Sequence, residues 1–382
     1  MARKRRHVAL IVETSITFGR GVLRGIAKFL KEQRGWSVFL EQRELGAALP
    51  DWIDRWDGDG IITRSDDPRI LRHDLPIVCL FDRRESEPGF PMILNDSREV
   101  GRLAARHLLE RGFDHLGYYG VCEDYWSTER WAGVREVLDG VGLEGESFLA
   151  ESDEVRTSGW EAHQERLADW IAGRPLPFGL VAGNDIHGLR ALDACRRRGL
   201  AVPEEVAVIG ADNDEELCDL SEPPLSSVAF HPERVGYEAA KLLDRMMAGR
   251  RPPKRPLLIE PVGVVPRLST DIIAIDDRDV ARALRLIRRH ACDGISVASI
   301  LRDVPISRRS LEMKFERLLG RSPKREILRV RIERARTLLL ETDLSITAIS
   351  QQTGFHHPSR FGVVFREQTG LSPSAFRGSR RG

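Results

Sequence analysis

Ile306-Ser307-Arg308-Arg309-Ser310-Leu311 and, fifty positions later, His356-His357-Pro358-Ser359-Arg360-Phe361 open two matching stretches. At that offset Leu311 falls on Phe361, Phe315 on Phe365, Gly320 on Gly370, and Ser322-Pro323 on Ser372-Pro373. One turn upstream the offset is forty-nine, pairing Val297 with Ile346 and Ile300 with Ile349, so the second copy carries one extra turn residue. Two copies are too few for a solenoid. In each, a Ser or Thr stands near a helix start and apolar residues recur three to four apart. The pattern predicts helix, tight turn, helix, twice, over about residues 296–319 and 345–369.

The second helix of each unit is the informative one. Ser307 is a capping residue at its start, and Pro358 suits a first helical turn. Leu311 and Phe315, or Phe361 and Phe365, are four apart and face inward. Ser307, Arg308 and Arg309 with Glu312 one turn on, and His357, Ser359 and Arg360, are then left at the exposed N-terminal end. In a helix-turn-helix that end meets base edges. Between the copies, residues 323–341 read as one helix of ~28 Å at 1.5 Å per residue. That is close to the roughly 34 Å between successive major-groove faces of one side of DNA.

Working outward, the chain of 382 residues has room for two or three domains, and its net charge of +1 hides an asymmetry. From Asp276 onward there are 22 Lys and Arg against 12 Asp and Glu, leaving 37 against 46 before it. A basic tail on an acidic body is the footprint of a nucleic-acid module joined to something else. Cysteines 79, 122, 195, 218 and 292 are scattered, odd in number and without a CxxC pair, which argues for a reducing compartment and against a zinc site. The basic segment 1–6 leads into an apolar run too short for a signal peptide, and no stretch has the length of a membrane span. The expectation is a soluble, cytoplasmic protein.

Residues 7–270 alternate short apolar strands with amphipathic helices. Strand signals lie at 8–12, 38–40, 60–63, 77–81, 116–119, 179–182, 206–209 and 226–229, with helices at about 19–31, 98–111, 128–138, 160–171, 186–198 and 233–248. Continuous apolar strands between helices imply parallel, doubly wound sheets covered on both faces. In such sheets ligands bind beyond the carboxyl ends of the strands. The residues found there are Ser15, Asp82, Asn184-Asp185 and Asp212-Asn213, with Arg130 opening a helix beside Trp126, and Phe18 and Phe230 nearby. A single Asp at a strand end is commonly a helix cap. Five such positions together, with aromatic rings, suit a polyhydroxylated ligand, whose hydroxyls pair with planar polar groups and whose C–H faces cover rings.

Three resemblances sharpen this. Residues 280–378 resemble the DNA-binding domain of the arabinose-regulator (AraC-type) transcription factors. The carrying motifs are Arg331-Ile332-x-x-Ala335-x-x-Leu338-Leu339, Ser345-Ile346-x-x-Ile349, Gly354-Phe355, Ser359-x-Phe361, Phe365 and Gly370-x-Ser372-Pro373. Leu301, Ser350, Val363 and Val364 depart from the residues usual there. Residues 7–270 resemble the periplasmic-binding-protein-like effector domain of lactose- and galactose-repressor relatives, through Asp57-x-x-Gly60-Ile61-Ile62, Arg130-x-x-Gly133, Asn184-Asp185, Val208-Ile209-Gly210-x-Asp212-Asn213, Leu225-x-Ser227-Val228 and Val235-Gly236-x-x-Ala239. That resemblance implies sugar contacts at Arg130, Asn184 and Asp212, with Asp185 and Asn213 adjacent. The domain order, with the joint Val264-Val265-Pro266-Arg267-x-Ser269-Thr270-Asp271, resembles xylose-responsive regulators of enteric bacteria, which implies D-xylose as effector. The residues alone say a small, polar, sugar-sized ligand.

The expected architecture is therefore an α/β two-lobed effector domain over 7–270, a linker over 271–278 containing the apolar Ile272-Ile273-Ala274-Ile275 and expected to pack, and an all-α domain with two helix-turn-helix motifs over 279–382. The expected partners are operator DNA, a sugar, RNA polymerase and a second copy of the chain, with no cofactor or metal. An enzyme is the competing reading. No Walker loop, nucleophile elbow or dinucleotide fingerprint is present, and His356-His357 has no Cys or carboxylate at metal spacing. A ligand-independent DNA-binding protein would not need the strand-end cluster.

Overall fold

The computed structural model describes residues 5–33, 35–42, 44, 48–65, 67–81, 90–122, 124–151, 159–271, 277–355 and 357–378. The chain divides into two compact units, Met1–Asp271 and Ile272–Gly382.

The first unit holds two sheets. A four-stranded parallel sheet runs β2-β1-β3-β4, from β1 (Arg6–Ile11), β2 (Trp36–Leu40), β3 (Gly60–Thr63) and β4 (Ile77–Cys79). A parallel pair, β5 (Ile93–Asn95) with β11 (Leu257–Ile259), accompanies it. The six-stranded sheet runs β12-β10-β9-β8-β6-β7, from β6 (His115–Val121), β7 (Gly145–Ala150), β8 (Phe178–Ala182), β9 (Val206–Asp212), β10 (Ser226–Ala229) and β12 (Gly263–Val265). Only β12 joins it antiparallel. The run Val8-Ala9-Leu10-Ile11-Val12 is nearly inaccessible, as a strand covered on both faces must be.

The chain passes between the sheets three times. It leaves the first lobe after β5, returns after β10 into helix Pro232–Met247, which packs on the first sheet's elements, and departs again between β11 and β12. Each lobe contains a helix pair drawn together at glycines. A Cβ on Gly25 would lie 1.9 Å from Glu233 O, and one on Gly236 1.9 Å from Val22 O. In the other lobe, a Cβ on Gly101 would lie 1.9 Å from Arg130 O, and one on Gly133 2.0 Å from Arg98 O. No side chain fits at any of these four crossings.

Several boundaries shift from the sequence reading. Arg6 is not part of a leading segment 1–6. It starts β1, and its Nη1 reaches Asp244 Oδ1 at 3.0 Å. Strands β5, β7 and β11 were not anticipated, being short or broken by polar residues. β2 is an edge strand with an accessible face, so its apolar run is not the buried strand that apolarity implied. Asp277 caps helix Arg278–His290, so the second unit's first helix opens ahead of the expected start at 279. Of the linker expected over 271–278, residues 272–276 lie outside the described residues.

In the second unit the repeat is realised helix by helix. Val297–Asp303 and Arg308–Leu319 form the first pair, Ile346–Gln352 and Pro358–Thr369 the second, and Pro323–Glu341 the spacer, with the bounds expected of it. Gly320 and Gly370 both adopt left-handed φ, +63 and +79, and end the two reading helices. Ser322 and Ser372 each accept a backbone N–H just after, starting Pro323–Glu341 and Pro373–Gly378. Leu311, Phe315, Phe361 and Phe365 are fully buried. In the second copy Phe355, Phe361, Phe365 and Phe376 form one aromatic chain with centroids 5.3 to 5.5 Å apart.

Candidate ligand cleft and DNA-reading surface

Both sheets present a switch point. β1 lies between β2 and β3, and β6 lies between β7 and β8. Crevices at such points take ligands, and the side chains that follow these strands meet there. After β1, Phe18 stands at the start of helix Thr17–Glu32; after β3 comes Arg64, whose guanidinium carbon lies 4.8 Å from the Phe18 centroid. Phe18 meets Phe230 edge-on at 6.5 Å. Arg130, from helix Tyr125–Gly140, packs 5.0 Å from Phe230 and 4.6 Å from Trp126. The result is a continuous run from Arg64 through Phe18, Phe230 and Arg130 to Trp126.

Both arginines are partly spoken for. Arg64 Nη1 bonds Glu13 Oε2 at 3.0 Å. Arg130 Nη1 donates to Gly183 O, and its Nη2 stands 3.6 Å from Asp212 Oδ1. Yet Nε of Arg64 and Nε of Arg130 are both buried with no partner among the described residues. Buried donors without acceptors are rare in folded proteins and costly, about 1–3 kcal/mol each. Asp212 ends β9 at φ +112 and Asn213 follows at φ +50. Such backbone costs roughly 1–3 kcal/mol per residue and clusters at functional sites. Burial pushes the Asp212 carboxyl above the usual range, against the pull of Arg130 and Arg64. Both arginines thus act on the charge of Asp212, Arg130 from the nearer position.

Two of the expected contacts already have partners inside the protein. Asp185 is buried, and both of its carboxylate oxygens are engaged within the protein. Its Oδ1 accepts from Ser227 Oγ at 2.5 Å and its Oδ2 from Asp214 N at 2.8 Å, bracing the ends of β8, β9 and β10. Burial first, then the charge of Asp212, holds that carboxyl well above its ordinary value. Asn213 Oδ1 accepts from Arg267 Nη1 at 2.9 Å. Asn184 is half committed: its Oδ1 accepts from His187 N at 2.9 Å, capping helix Asp185–Arg197, and lies 2.6 Å from His187 Nδ1. Burial, with Arg190, Arg130 and His163 adding to it, lowers His187 to about 3, so the ring is neutral. Ser15 is exposed, and its carbonyl accepts from Arg20. Asp82 lies outside the described residues. Arg64 escaped the sequence reading although β3 was recognised, since it is the residue just beyond that strand.

A contact joins the walls. Thr17 Oγ1 donates to Asp214 Oδ2 at 2.6 Å, linking the helix after β1 to the turn after β9.

On the second unit, Ser307 caps Arg308–Leu319 through Ser310 N at 3.1 Å. Arg308 is exposed and its Nε bonds Glu312 Oε1 at 3.0 Å, while Arg309 is exposed beside it. His357, Ser359 and Arg360 are exposed at the start of Pro358–Thr369, where His357 makes no side-chain cap. All seven expected residues occupy the N-terminal turns of the second helices. Val363, one turn on, is 59% exposed, apolar among polar neighbours, and was not anticipated as part of that face.

A two-lobed α/β domain with a polar, aromatic-lined crevice, followed by paired helix-turn-helix units on a rigid spacer, defines a ligand-responsive DNA-binding transcription regulator. Comparison with known proteins agrees segment by segment: an XylR N-terminal domain matches residues 7–95, a periplasmic binding protein-like domain 105–270, and a helix-turn-helix domain 300–379. The xylose operon regulatory protein of Escherichia coli K12 is 34% identical over 99% of this chain and 98% of its own length. Its counterpart in Haemophilus influenzae is 32% identical over 97% of each. The solved structure of the xylose-binding transcription activator XylR superposes with a TM-score of 0.85 at 32% identity, covering 99% of both chains. The chain belongs to the family of xylose operon regulatory proteins. Among the described residues, no helix is long and apolar enough to cross a membrane.

Proposed function

We propose that the effector is D-xylose, held in the crevice between Arg64 and Arg130, and that its binding turns the chain into an activator of genes for using that sugar. The two buried, unpartnered Nε groups carry this reading. Each needs an acceptor, the rings of Phe18, Phe230 and Trp126 offer flat apolar faces, and Asp212 offers the complementary acceptor for a hydroxyl. A pentose supplies acceptor oxygens, O–H donors and C–H faces together. Relatives named for xylose support the choice among sugars. In this reading the domain binds its sugar without transforming it.

Arg308, Arg309 and Arg360 read bases, with Ser307, Glu312, His357 and Ser359 completing the two contact surfaces. Two copies of the chain act together in the cytoplasm, each bringing its paired readers to operator DNA, and contact RNA polymerase there. Sugar and operator then tighten each other's binding by the same factor, typically about 5–150-fold.

Calorimetry with D-xylose, L-arabinose, D-ribose and D-glucose tests the effector. D-xylose should bind at least about tenfold tighter than the others, a difference of ~1.4 kcal/mol. Preference for another of them would keep the architecture and replace the sugar. No heat with any would remove the crevice as a sugar site.

A further inference from the structure

The Asp212–Asn213 turn is held in its left-handed conformation by bonds that lead away from the crevice. Asn213 N donates to Ser227 Oγ at 3.0 Å, and Asn213 Oδ1 accepts from Arg267 Nη1 at 2.9 Å. Arg267 is fixed in turn. Its Nη1 also donates to Leu225 O at 3.1 Å, its Nε to Asp219 Oδ1 at 2.7 Å, and its backbone N to Ser226 Oγ at 2.7 Å. Arg267 then opens the short turn Leu268–Thr270, the last element before the first unit ends at Asp271.

That exit turn is sewn into the six-stranded sheet. Ser269 and Thr270 are wholly buried. Ser269 Oγ donates to Val208 O at 2.6 Å and accepts from Ser226 N at 2.8 Å. Thr270 Oγ1 lies 2.7 Å from Ser226 Oγ and 2.8 Å from His107 Nε2, and Thr270 O accepts from Arg111 Nε at 2.9 Å.

We infer that Arg267 is a positioning residue that carries the state of the sugar crevice, through the Asp212–Asn213 turn, to the exit turn by which the chain leaves the effector domain. The inference rests on the proposed placement of the sugar at Asp212. Both residues sit at positive φ, +112 and +50, where L side chains leave the backbone little room, so a ligand that draws on the Asp212 carboxylate moves the turn as a unit. Asn213 moves with it. The guanidinium that holds Asn213 is planar and forked, and cannot follow one partner without shifting against the others. A sugar therefore biases the exit turn by the difference in its affinity for the two positions of the Asp212–Asn213 turn.

Four chains separate this from a purely structural role: the wild type, Asn213→Gly, Arg267→Lys and Asp219→Asn. Glycine accepts φ +50 without strain, so Asn213→Gly deletes the side chain that accepts from Arg267 and leaves the backbone conformation open. Lysine keeps the charge beside Asp219 but not the fork. Asp219→Asn removes the charge of a solvent-side partner that does not lead to the crevice. Amide hydrogen exchange over residues 268–271 is followed with and without saturating D-xylose, and the sugar's Kd is measured by calorimetry. In the wild type and Asp219→Asn, sugar should slow that exchange at least about threefold. In Asn213→Gly and Arg267→Lys the ratio should fall to about one while Kd stays within about threefold. Undiminished slowing in Asn213→Gly, or no slowing in a wild type that binds D-xylose, overturns the proposal. A wild type that binds no pentose sinks the crevice reading and this inference with it.

Discussion

In the function proposed above, the crevice and the DNA-reading surface both depend on arginines, and they use them in opposite ways. Arg130 is buried, packed between two rings and bonded to a backbone carbonyl. Arg308, Arg309 and Arg360 stand exposed on the first turns of their helices. A small ligand offers few atoms, so its site must already be arranged, and the protein bears the cost in strained backbone and unpartnered donors. Duplex DNA brings its own dense charge and fixed groove edges, so exposed cations on a rigid frame suffice. Preorganisation is concentrated where the partner is small.

The largest effect should come from Arg130→Ala. It strands Asp212 and the Gly183 carbonyl and removes the filling between Trp126 and Phe230. A loss of roughly 2–3 kcal/mol in stability of the first unit is expected, together with a ten- to hundredfold loss of sugar affinity. Urea denaturation and calorimetry read the two. Unchanged stability would place Arg130 among the exposed arginines and erase the contrast.

Next come Arg308→Ala and Arg360→Ala. Each should cost about 1–3 kcal/mol of base discrimination, at different positions of the operator, and leave the melting temperature in place. Binding to a library of single-base operator variants shows this. Uniform weakening on every variant would make both phosphate contacts.

A smaller effect distinguishes the two reading helices. Ser307→Ala deletes a cap bond and should cost ~1 kcal/mol of stability, whereas His357→Ala deletes none and should cost a few tenths. Equal costs in thermal melts would show that capping does not separate the copies.

The smallest concerns pH. Burial, with Arg111 adding to it, lowers His107 to about 4. The unfolded chain takes up that proton near pH 6.5 and the folded one does not, so His107 contributes stability above 6.5 that is lost as pH falls toward 4. Asp185 and Asp212, raised by burial, act in the opposite direction: the folded chain holds their protons at a pH where the unfolded chain has released them. His107→Gln should therefore leave the first unit more stable at pH 5 than at pH 6.5, relative to wild type, by on the order of 1 kcal/mol. A denaturation series across that range decides it, and parallel curves for the two proteins would sink the idea.

What could be read beforehand follows the reach of each interaction. Helix Pro323–Glu341 was legible to the residue because Ser322, Pro323 and a three-to-four apolar period are local signals. The reading helices were legible because a repeat shows each against the other. Arg130 and Asp212 could be found from strand ends and family motifs. The inward fate of Asp185 could not, because it depends on Ser227, 42 residues away, and on the Asp214 amide. Arg267 as the partner of Asn213, 54 residues distant, was equally hidden. Polar identity marks where a site lies. Only tertiary bonding shows which of its polar groups are left for a ligand.

The glycine crossing of Ser97–Leu109 with Tyr125–Gly140 bears on how this cleft could be retuned. A backbone carbonyl fills the space where a Cβ at Gly101 or Gly133 would sit, and at Gly101 that carbonyl belongs to Arg130 itself. The guanidinium's anchor is thus set by two helices that cannot be spread or slid without losing their closest contact. A sensor for a bulkier sugar therefore has little to gain from moving that helix. Room must come from trimming the rings, Trp126 or Phe18, while the arginine stays as the fixed origin from which any new ligand is measured.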